Sequence, residues 1–332
     1  MSNVTRLVPH SLIPGVLGPI YQEVPYEKYL AEVTHFGKRG DDILYQPTLS
    51  AINTPTTVGQ QWRGDIDAVD YSISQLSFPY YTIHARMEYD PNQSSKFASM
   101  IAGIGLPQFL GNLCKQGIWQ RMHYASLFGF DSNQGIAKTA TTETLANDSD
   151  GHSTIQTYNQ GELLAALASY ARLIMNSSYG MAKPVIVAAP VNMINYISTS
   201  IIPLTSYQMP GAGVDSIAGA YERVIGDWLK VGKVEFISDN ALTGKGATGK
   251  DLLLFIAPGL SEQEAQKQAK NTNLVSDSLT QNKRNTFMDI VDDLKEFPNP
   301  VINGVNSSLF SLQTTSGCLL RQETAVALSY TF

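Results

Sequence analysis

Charge is scarce in this chain. Of 332 residues, 16% are Asp, Glu, Lys or Arg, against about 25% in an average soluble protein. The balance of 23 basic and 29 acidic residues leaves a net charge of -6. That excludes a nucleic-acid reader working through a strongly basic field, while it permits weaker, local contact with DNA. Cysteine is nearly absent too: Cys114 and Cys318 are too few for a disulfide framework and lack the C-x-x-C spacing of zinc or redox sites. A reducing compartment is the default expectation. Long apolar runs are also missing. The most apolar window, 184–204, is broken by Pro190, Asn192, Asn195 and Pro203 and falls short of the roughly 18 uninterrupted apolar residues of a span, so no membrane span is expected. The opening twenty residues carry one Arg, but Pro9, His10, Pro14 and Pro19 interrupt their apolar stretch. No small-residue cleavage site follows, and the stretch is not read as a signal peptide.

The polar surface must therefore be largely uncharged, because Ser, Thr, Asn and Gln together number 90. Tyr (16) and Phe (12) are plentiful on that thin charge complement. Interfaces are depleted in Lys, Glu and Asp and enriched in aromatics, so the composition leans toward a subunit with many neighbours. At roughly 150 residues per domain the length predicts about two domains.

Pro and Gly recur through residues 1–40, which read as an irregular arm with one short helix over 25–36. Residues 41–92 are rich in Thr, Ile, Val and Tyr, and 71–78 and 80–89 alternate as strands do on either side of Pro79. This is a long two-stranded excursion without a core of its own, and an isolated hairpin is marginal in water. A long helix is expected over 96–128, with Leu106, Leu110, Leu113, Gly117, Tyr124 and Leu127 on one face and Pro107 forcing a start or a kink. A glycine turn and a polar, flexible link (139–154) then lead to a helix opened by the capping-box pattern Asn159-x-x-Glu162, its buried stripe Leu163, Leu167, Tyr170 and Ile174. From Lys183 the elements alternate: strand 184–190, helices 191–202 and 214–229, strands 233–239 and 251–258. A helix over 285–297, stopped by Pro298 and Pro300, and short closing strands complete a mixed α/β region.

Candidate chemistry is sparse. Gly244-x-x-x-x-Gly249-Lys250 approaches a phosphate-binding loop, but position 251 is Asp, which repels phosphate. A strand-like run follows it, where the motif must open a helix. A turn is the better reading. Asp148-x-Asp150-Gly151 resembles part of a calcium loop whose outer ligand positions fall on Ala146 and Thr157. The five histidines (10, 35, 84, 123 and 152) form no helical metal pair, and Asp65, Asp67 and Asp70 read as a solvated acidic loop. No G-x-S-x-G elbow exists. The residues point to no catalytic group, cofactor or metal.

The order of these elements resembles the major capsid protein of tailed bacteriophages, the Hong Kong phage-type capsid fold shared with encapsulin shells. In that family an arm precedes an extended β loop and a long spine helix that ends in a glycine turn followed by a Gly-Ile or Gly-Leu. Residues 1–40, 41–92, 96–128 and the stretch from Gly129 to Ile136 are similar to these in turn. The axial domain opens with a strand, a Pro and a helix, similar to KPVIVAAPVNMINYI, and a last strand with an Arg and an Ala-aliphatic pair is similar to LLRQETAVALSY.

The resemblance, which runs over about 20–332, implies an α+β fold with an arm (1–40), an extended loop (41–92), a peripheral domain (93–182 and 308–332) and an axial domain (183–307). It implies pentamers and hexamers forming an icosahedral head around double-stranded DNA, assembled in the bacterial cytoplasm and located in the virion. Partners would be the chain itself, a portal, separate scaffolding or decoration proteins and, non-specifically, the packaged DNA. An encapsulin-like shell, another virion protein such as a tail component, or a nucleotide-binding enzyme are the alternatives. Some members carry a scaffolding segment of about a hundred residues before the arm, for which this chain has no room. Others crosslink a loop lysine to a neighbour, and here no Lys lies between Lys38 and Lys96, so that chemistry is expected to be absent.

Charge adds one expectation. Residues 96–128 hold Lys96, Lys115 and Arg121 and no acid, whereas 41–95 hold seven acids against Arg63 and Arg86. Packaged DNA would draw the basic helix inward within a Debye length of about 8 Å; the alternative is pairing of Lys115 and Arg121 with carboxylates such as Asp65 or Asp67. The candidate inter-subunit or lumen-facing residues are thus Trp62, Arg63, Asp65, Asp67, Arg86, Lys115 and Arg121.

Overall fold

The computed structural model describes residues 26–53, 70–92, 94, 105–130, 134–178, 180, 182–203, 214–228, 231–260, 284–302 and 305–332. In chain order its main elements are β1 (Glu32–Thr34), β2 (Ile43–Asn53), β3 (Asp70–Tyr89), α1 (Leu106–Phe128), α2 (Ile136–Thr139), β4 (Thr141–Thr144), α3 (Gln160–Ser177), β5 (Ile186–Ala189), α4 (Val191–Thr199), β6 (Ile201–Pro203), β7 (Val214–Ser216), α5 (Ile217–Tyr221), β8 (Glu235–Ser238), β9 (Asp251–Ile256), β10 (Thr286–Asp289), β11 (Lys295–Ile302), β12 (Val305–Thr315), β13 (Cys318–Leu319) and β14 (Ala325–Tyr330). Two compact units result. Among the described residues the smaller is drawn from Ile83–Arg121 and Leu294–Leu312, and the larger from Val24–Thr82, Met122–Asp293 and Gln313–Phe332.

The larger unit is built on a five-stranded mixed sheet in the order β4-β14-β9-β5-β8. β9 and β14 read LLLFI and AVALSY and are buried along nearly every position, as strands covered on both faces must be. Helices α3, α4 and α5 supply one cover: Leu163, Leu167, Ala171, Ile174, Met193, Ile197, Ile217 and Tyr221 join Val187, Leu253, Phe255, Val326 and Leu328 in one core. Each fully buried Leu or Ile there contributes about 1.5–3 kcal/mol. Asn159 caps α3, its side chain accepting from the Gly161 N–H at 3.0 Å. Glu162 does not return the bond; it accepts from Ser149 Oγ instead, so the capping box is half made. Of the expected α3 stripe Leu163, Leu167 and Ile174 are buried, while Tyr170 is partly exposed and donates to the Thr144 carbonyl at 3.2 Å.

A second sheet in this unit, β1-β10-β13, pairs β1 with β10 in parallel and β10 with β13 antiparallel. It overturns two expected helices. Of the residues expected to be helical over 25–36, the described ones form a single 3-10 turn, Tyr26–Tyr29, and then β1; residues 285–297 form β10 and the start of β11. The apolar residues Phe287, Met288, Ile290 and Val291 suit a helical stripe as well as a buried strand, and the pairing partners 30 and 250 residues away decide the matter. The link 139–154 likewise is not all loop, because Thr141–Thr144 pairs in parallel with β14. The helix expected over 214–229 is divided into β7, α5 and a π-helical turn Glu222–Trp228, and the helix over 191–202 ends at Thr199.

β2 and the first half of β3 form an antiparallel ribbon running from Ile43↔Pro79 to Asn53↔Asp70. Pro79 does not end the strand. The next residue, Tyr80, donates its N–H to Asp42 O at 2.9 Å, and since neighbouring residues point their N–H groups to opposite edges, the missing donor of Pro79 lies on the other edge.

In the smaller unit β11 and β12 form an antiparallel hairpin closed by the pair Ile302↔Val305. The two residues between them are Asn303-Gly304, the strongest short hairpin signal in a sequence. The part of α1 in this unit places Gly111 against the Phe310 ring. Across its full length α1 buries Gly111, Ile118, Met122, Ala125, Ser126, Leu127 and Phe128; of the stripe expected from sequence Leu127 is buried and Leu106, Leu110 and Tyr124 are half-buried, while Gly117 and Leu113, the latter 44% accessible, are exposed. Pro107 lies in the first turn, where its missing N–H is an orphan in any case. Of the expected helical residues, 96–104 lie outside the described ones.

Candidate assembly surfaces

Lys115 and Arg121 are exposed on α1, in a stretch whose solvent side also carries Leu113 and Trp119. The helix thus exposes both positive charge and apolar area, and it carries no acidic residue of its own. Arg86 differs: its guanidinium pairs with Glu88 two residues along β3, which neutralises it locally. Trp62, Arg63, Asp65 and Asp67 lie outside the described residues.

The ribbon has two unlike faces, set by its register. Leu44, Leu76 and Phe78 are half-buried, and the Phe78 ring meets Phe287 edge-on at 5.5 Å between centroids. The alternate residues Ile43, Tyr45 and Ile73 are exposed, the last to 68%. Apolar side chains on both sides of a two-stranded ribbon leave one side without cover. Asp41 and Asp42, which directly precede β2, are exposed.

The stem that precedes the ribbon, residues 26–37, is held by two buried carboxylates of the larger unit. Asp239, at the end of β8, accepts from Tyr29 OH at 2.6 Å and meets His123 Nε2 at 2.9 Å, while its other oxygen caps a 3-10 turn at the Ala241 N–H. Burial opposes the charge of Asp239, but the bonds from His123, Tyr29 and Ala241 prevail and hold its carboxyl below the ordinary range. The Tyr29 phenol is driven far up by burial and by the adjacent Asp239 charge. Asp289, fully buried in β10, accepts from Thr34 Oγ1, Phe36 N, Gly37 N and Tyr80 OH. Its carboxyl is also held low by these donors against the cost of burial. Lys28 pairs with Glu235 at 2.9 Å, and Arg284 pairs with Glu32 while lying over the Phe36 ring. Neither carboxylate was singled out from sequence. The available signal was an Asp in or closing an apolar run (TFMDIV and EFISD), the first in a stretch read as a helix and the second at the end of a stretch read as a strand.

A groove of about 590 Å³ runs along β4, lined by Tyr124, Phe128, Lys138, Thr142, Lys245 and Ser329 among others. Lys245 Nζ lies over both aromatic rings, at 5.4 and 5.7 Å from their centroids. The neighbouring loop 244–250 is a turn, as the sequence predicts, and β9 follows it directly. Asp251 accepts from the Gly244 N–H at 2.8 Å and Ser329 Oγ from Ala247 N–H, so carboxylate and hydroxyl oxygens occupy donors a phosphate would need. Asp148 similarly spends its oxygens on the Asp150 and His152 N–H groups and the His152 ring. Among the described residues no cluster of His, Cys, Asp or Glu could hold a metal ion, and no helix is long and apolar enough to cross a membrane.

No protein-family model and no curated protein sequence matches the chain. Solved structures do match, and they define the class: the chain has the α+β Hong Kong phage-type capsid fold. A chain from the capsid of Myoviridae phage XM1 superposes with a TM-score of 0.71 at 11% identity, over 97% of this chain and 96% of that one. A chain from the capsid of a native GTA particle gives 0.59 at 11% identity, over 98% and 96%. A chain from Mycobacterium phage Che8 gives 0.59 at 11% identity, over 98% and 97%. At such identities the likeness establishes the fold alone, and it extends over nearly the whole chain.

Proposed function

We propose that the chain is a major capsid protein, a structural subunit that assembles with itself into the head of a tailed phage. The observation that carries this reading is the full-length match to a chain of a phage capsid. Two features of the chain agree with it. The ribbon exposes apolar side chains on a face that no residue of its own ribbon can cover, and Leu113 and Trp119 do the same on α1. In this reading residues 1–40 are the arm, 41–92 the extended loop, 93–182 and 308–332 the peripheral domain and 183–307 the axial domain. Pentamers and hexamers enclose double-stranded DNA, with a portal and any scaffolding or decoration proteins as further partners. Closed symmetry keeps the interface types few, and permanent interfaces of this sort bury more than about 2,000 Å².

The exposed cations Lys115 and Arg121 face the packaged DNA in this reading, which rests on their exposure and on the positive charge of a helix that carries no acidic residue of its own. The role is structural and calls for no catalysis. Sedimentation of the purified chain at micromolar concentration tests the reading: capsomers or shells are expected, and a well-folded monomer under all salt and crowding conditions would overturn it.

A further inference from the structure

Asp289 receives hydrogen bonds from two separate stretches of chain. The stem contributes Thr34 Oγ1 at 2.5 Å, Phe36 N at 2.8 Å and Gly37 N at 3.0 Å; the ribbon contributes Tyr80 OH at 2.7 Å. One oxygen, Oδ2, is shared between Gly37 and Tyr80. The two stretches also touch each other here. A Cβ on Gly37 would overlap the Tyr80 hydroxyl and lie 3.2 Å from Asp289 Oδ2, so glycine is what lets Tyr80 reach the carboxylate. Below Asp289 the backbone is fixed, its N–H donating to Thr315 Oγ1 and its carbonyl accepting from Thr314 Oγ1, both at 3.0 Å. Among the described residues no cation pairs with the carboxylate, so its charge is carried by these four donors.

We infer that Asp289 is a coupling point at which seating of the arm stem (residues 34–37) and seating of the ribbon base (residues 42–45 and 77–80) reinforce one another. The physical reason is shared shielding. A buried carboxylate strengthens every bond it accepts while water is kept out, and the same low dielectric makes it costly once a donor is lost. If Tyr80 withdraws, water reaches Oδ2, and the Gly37 and Phe36 bonds to the same group weaken. If the stem withdraws, Tyr80 loses the glycine surface it lies on and shares its acceptor with solvent. Coupling between sites is reciprocal, so each stretch must respond to damage in the other. Gln313 adds a second tie on the same side, donating to Asp41 O at 2.8 Å and accepting from the Gly40 N–H. The coupling belongs to the single chain. Its use rests on the capsid reading: a stem captured by one neighbouring subunit would steady the ribbon that reaches another.

The test is hydrogen–deuterium exchange on the full-length chain at neutral pH, with Thr34→Val and Tyr80→Phe, each deleting one hydroxyl donor. Tyr80→Phe is expected to speed exchange at Phe36 and Gly37 at least about fivefold, the lower end of usual coupling. Thr34→Val is expected to speed exchange at Tyr80 by a similar factor, and Tyr80→Phe made in that background should add less at Phe36 and Gly37 than it does alone. The β9 amides serve as the control and stay protected. If each substitution loosens only its own stretch, the coupling is wrong. Should Tyr80→Phe also release β9, the Thr34→Val result at Tyr80 decides the question by itself. A coupling intact in a chain that never assembles would separate this inference from the capsid reading.

Discussion

Gly129 and Gly135 lie back to back at the end of α1. A Cβ on Gly129 would sit 2.5 Å from the Gln134 carbonyl oxygen, and one on Gly135 would overlap the Gly129 nitrogen. Both have left-handed backbone, with φ of 71° and 94°. Gly129 closes the helix through its N–H to Ala125 O, and Gly135 opens α2. Either residue changed to Ala should cost more than the roughly 1–3 kcal/mol of a left-handed non-glycine residue, because the obstacle is backbone and cannot swing away. A denaturant midpoint within error of the parent protein would show that this turn is not the tight crossing described.

Gly117 presents the opposite case. It lies inside α1 with an exposed position, ordinary helical backbone and no atom within 4 Å of the Cβ it lacks. Gly117→Ala should raise stability by about 1 kcal/mol, the propensity difference between the two residues. Urea unfolding measures it, and a loss of stability would mean that the helix requires glycine there for curvature.

Tyr221, the last residue of α5, is buried, and among the described residues its hydroxyl meets no hydrogen-bond partner. Burial pushes the phenol well above its ordinary value. Since an unsatisfied buried polar group costs about 1–3 kcal/mol, Tyr221→Phe should unfold at equal or higher temperature. A clear drop in melting temperature would reveal a partner for the hydroxyl.

Asp239 and Asp289 set the pH response of the stem. Both carboxyls are held lower in the folded chain than in the unfolded one. The stability they contribute is therefore fully present above the ordinary carboxylate pKa of about 4 and is lost as pH falls through their folded values. Protection of residues 26–37 in hydrogen exchange should hold at neutral pH and fail in acid before the β9 amides do. Asp289→Asn, which offers an N–H group where Gly37 and Tyr80 require an acceptor, should show the loosened stem already at pH 7. A stem that stays protected in the variant would contradict this.

Cohesion of the assembled protein should be non-covalent, given that residues 39–95 contain no lysine. Boiled, reduced material should run as one band near 36.2 kDa. A ladder of larger species would show crosslinking by other residues.

What could be read in advance divides by the range of the interactions involved. The ribbon, the capped helix α3, the apolar strands β5 and β9 and the turn at Gly244–Lys250 are written locally, in alternation, an Asn cap, apolar runs and glycines, and all were legible. The stretch 285–297 was not. Its apolar residues fit a helix face until β1, about 250 residues earlier in the chain, is known to lie beside them. The buried face of α1 was misplaced in part for the same reason, because Gly111 lies against Phe310 and Leu113 is left outside, although Leu127 is buried as expected. Of the surface candidates, Lys115 and Arg121 are exposed and Arg86 is paired with Glu88. The two carboxylates hold the stem through residues more than 200 positions away, which no local pattern records.

The most direct test of the central claim is electron cryomicroscopy of particles assembled from, or containing, this chain. The account predicts closed shells with fivefold and sixfold clusters of the subunit, the open face of the ribbon (Ile43, Tyr45 and Ile73) covered by a neighbouring copy and Lys115 and Arg121 turned to the interior. Particles without such shells, or shells in which both cations are within 4 Å of carboxylates and neither reaches the lumen, would contradict the assembly reading and the DNA-facing assignment respectively.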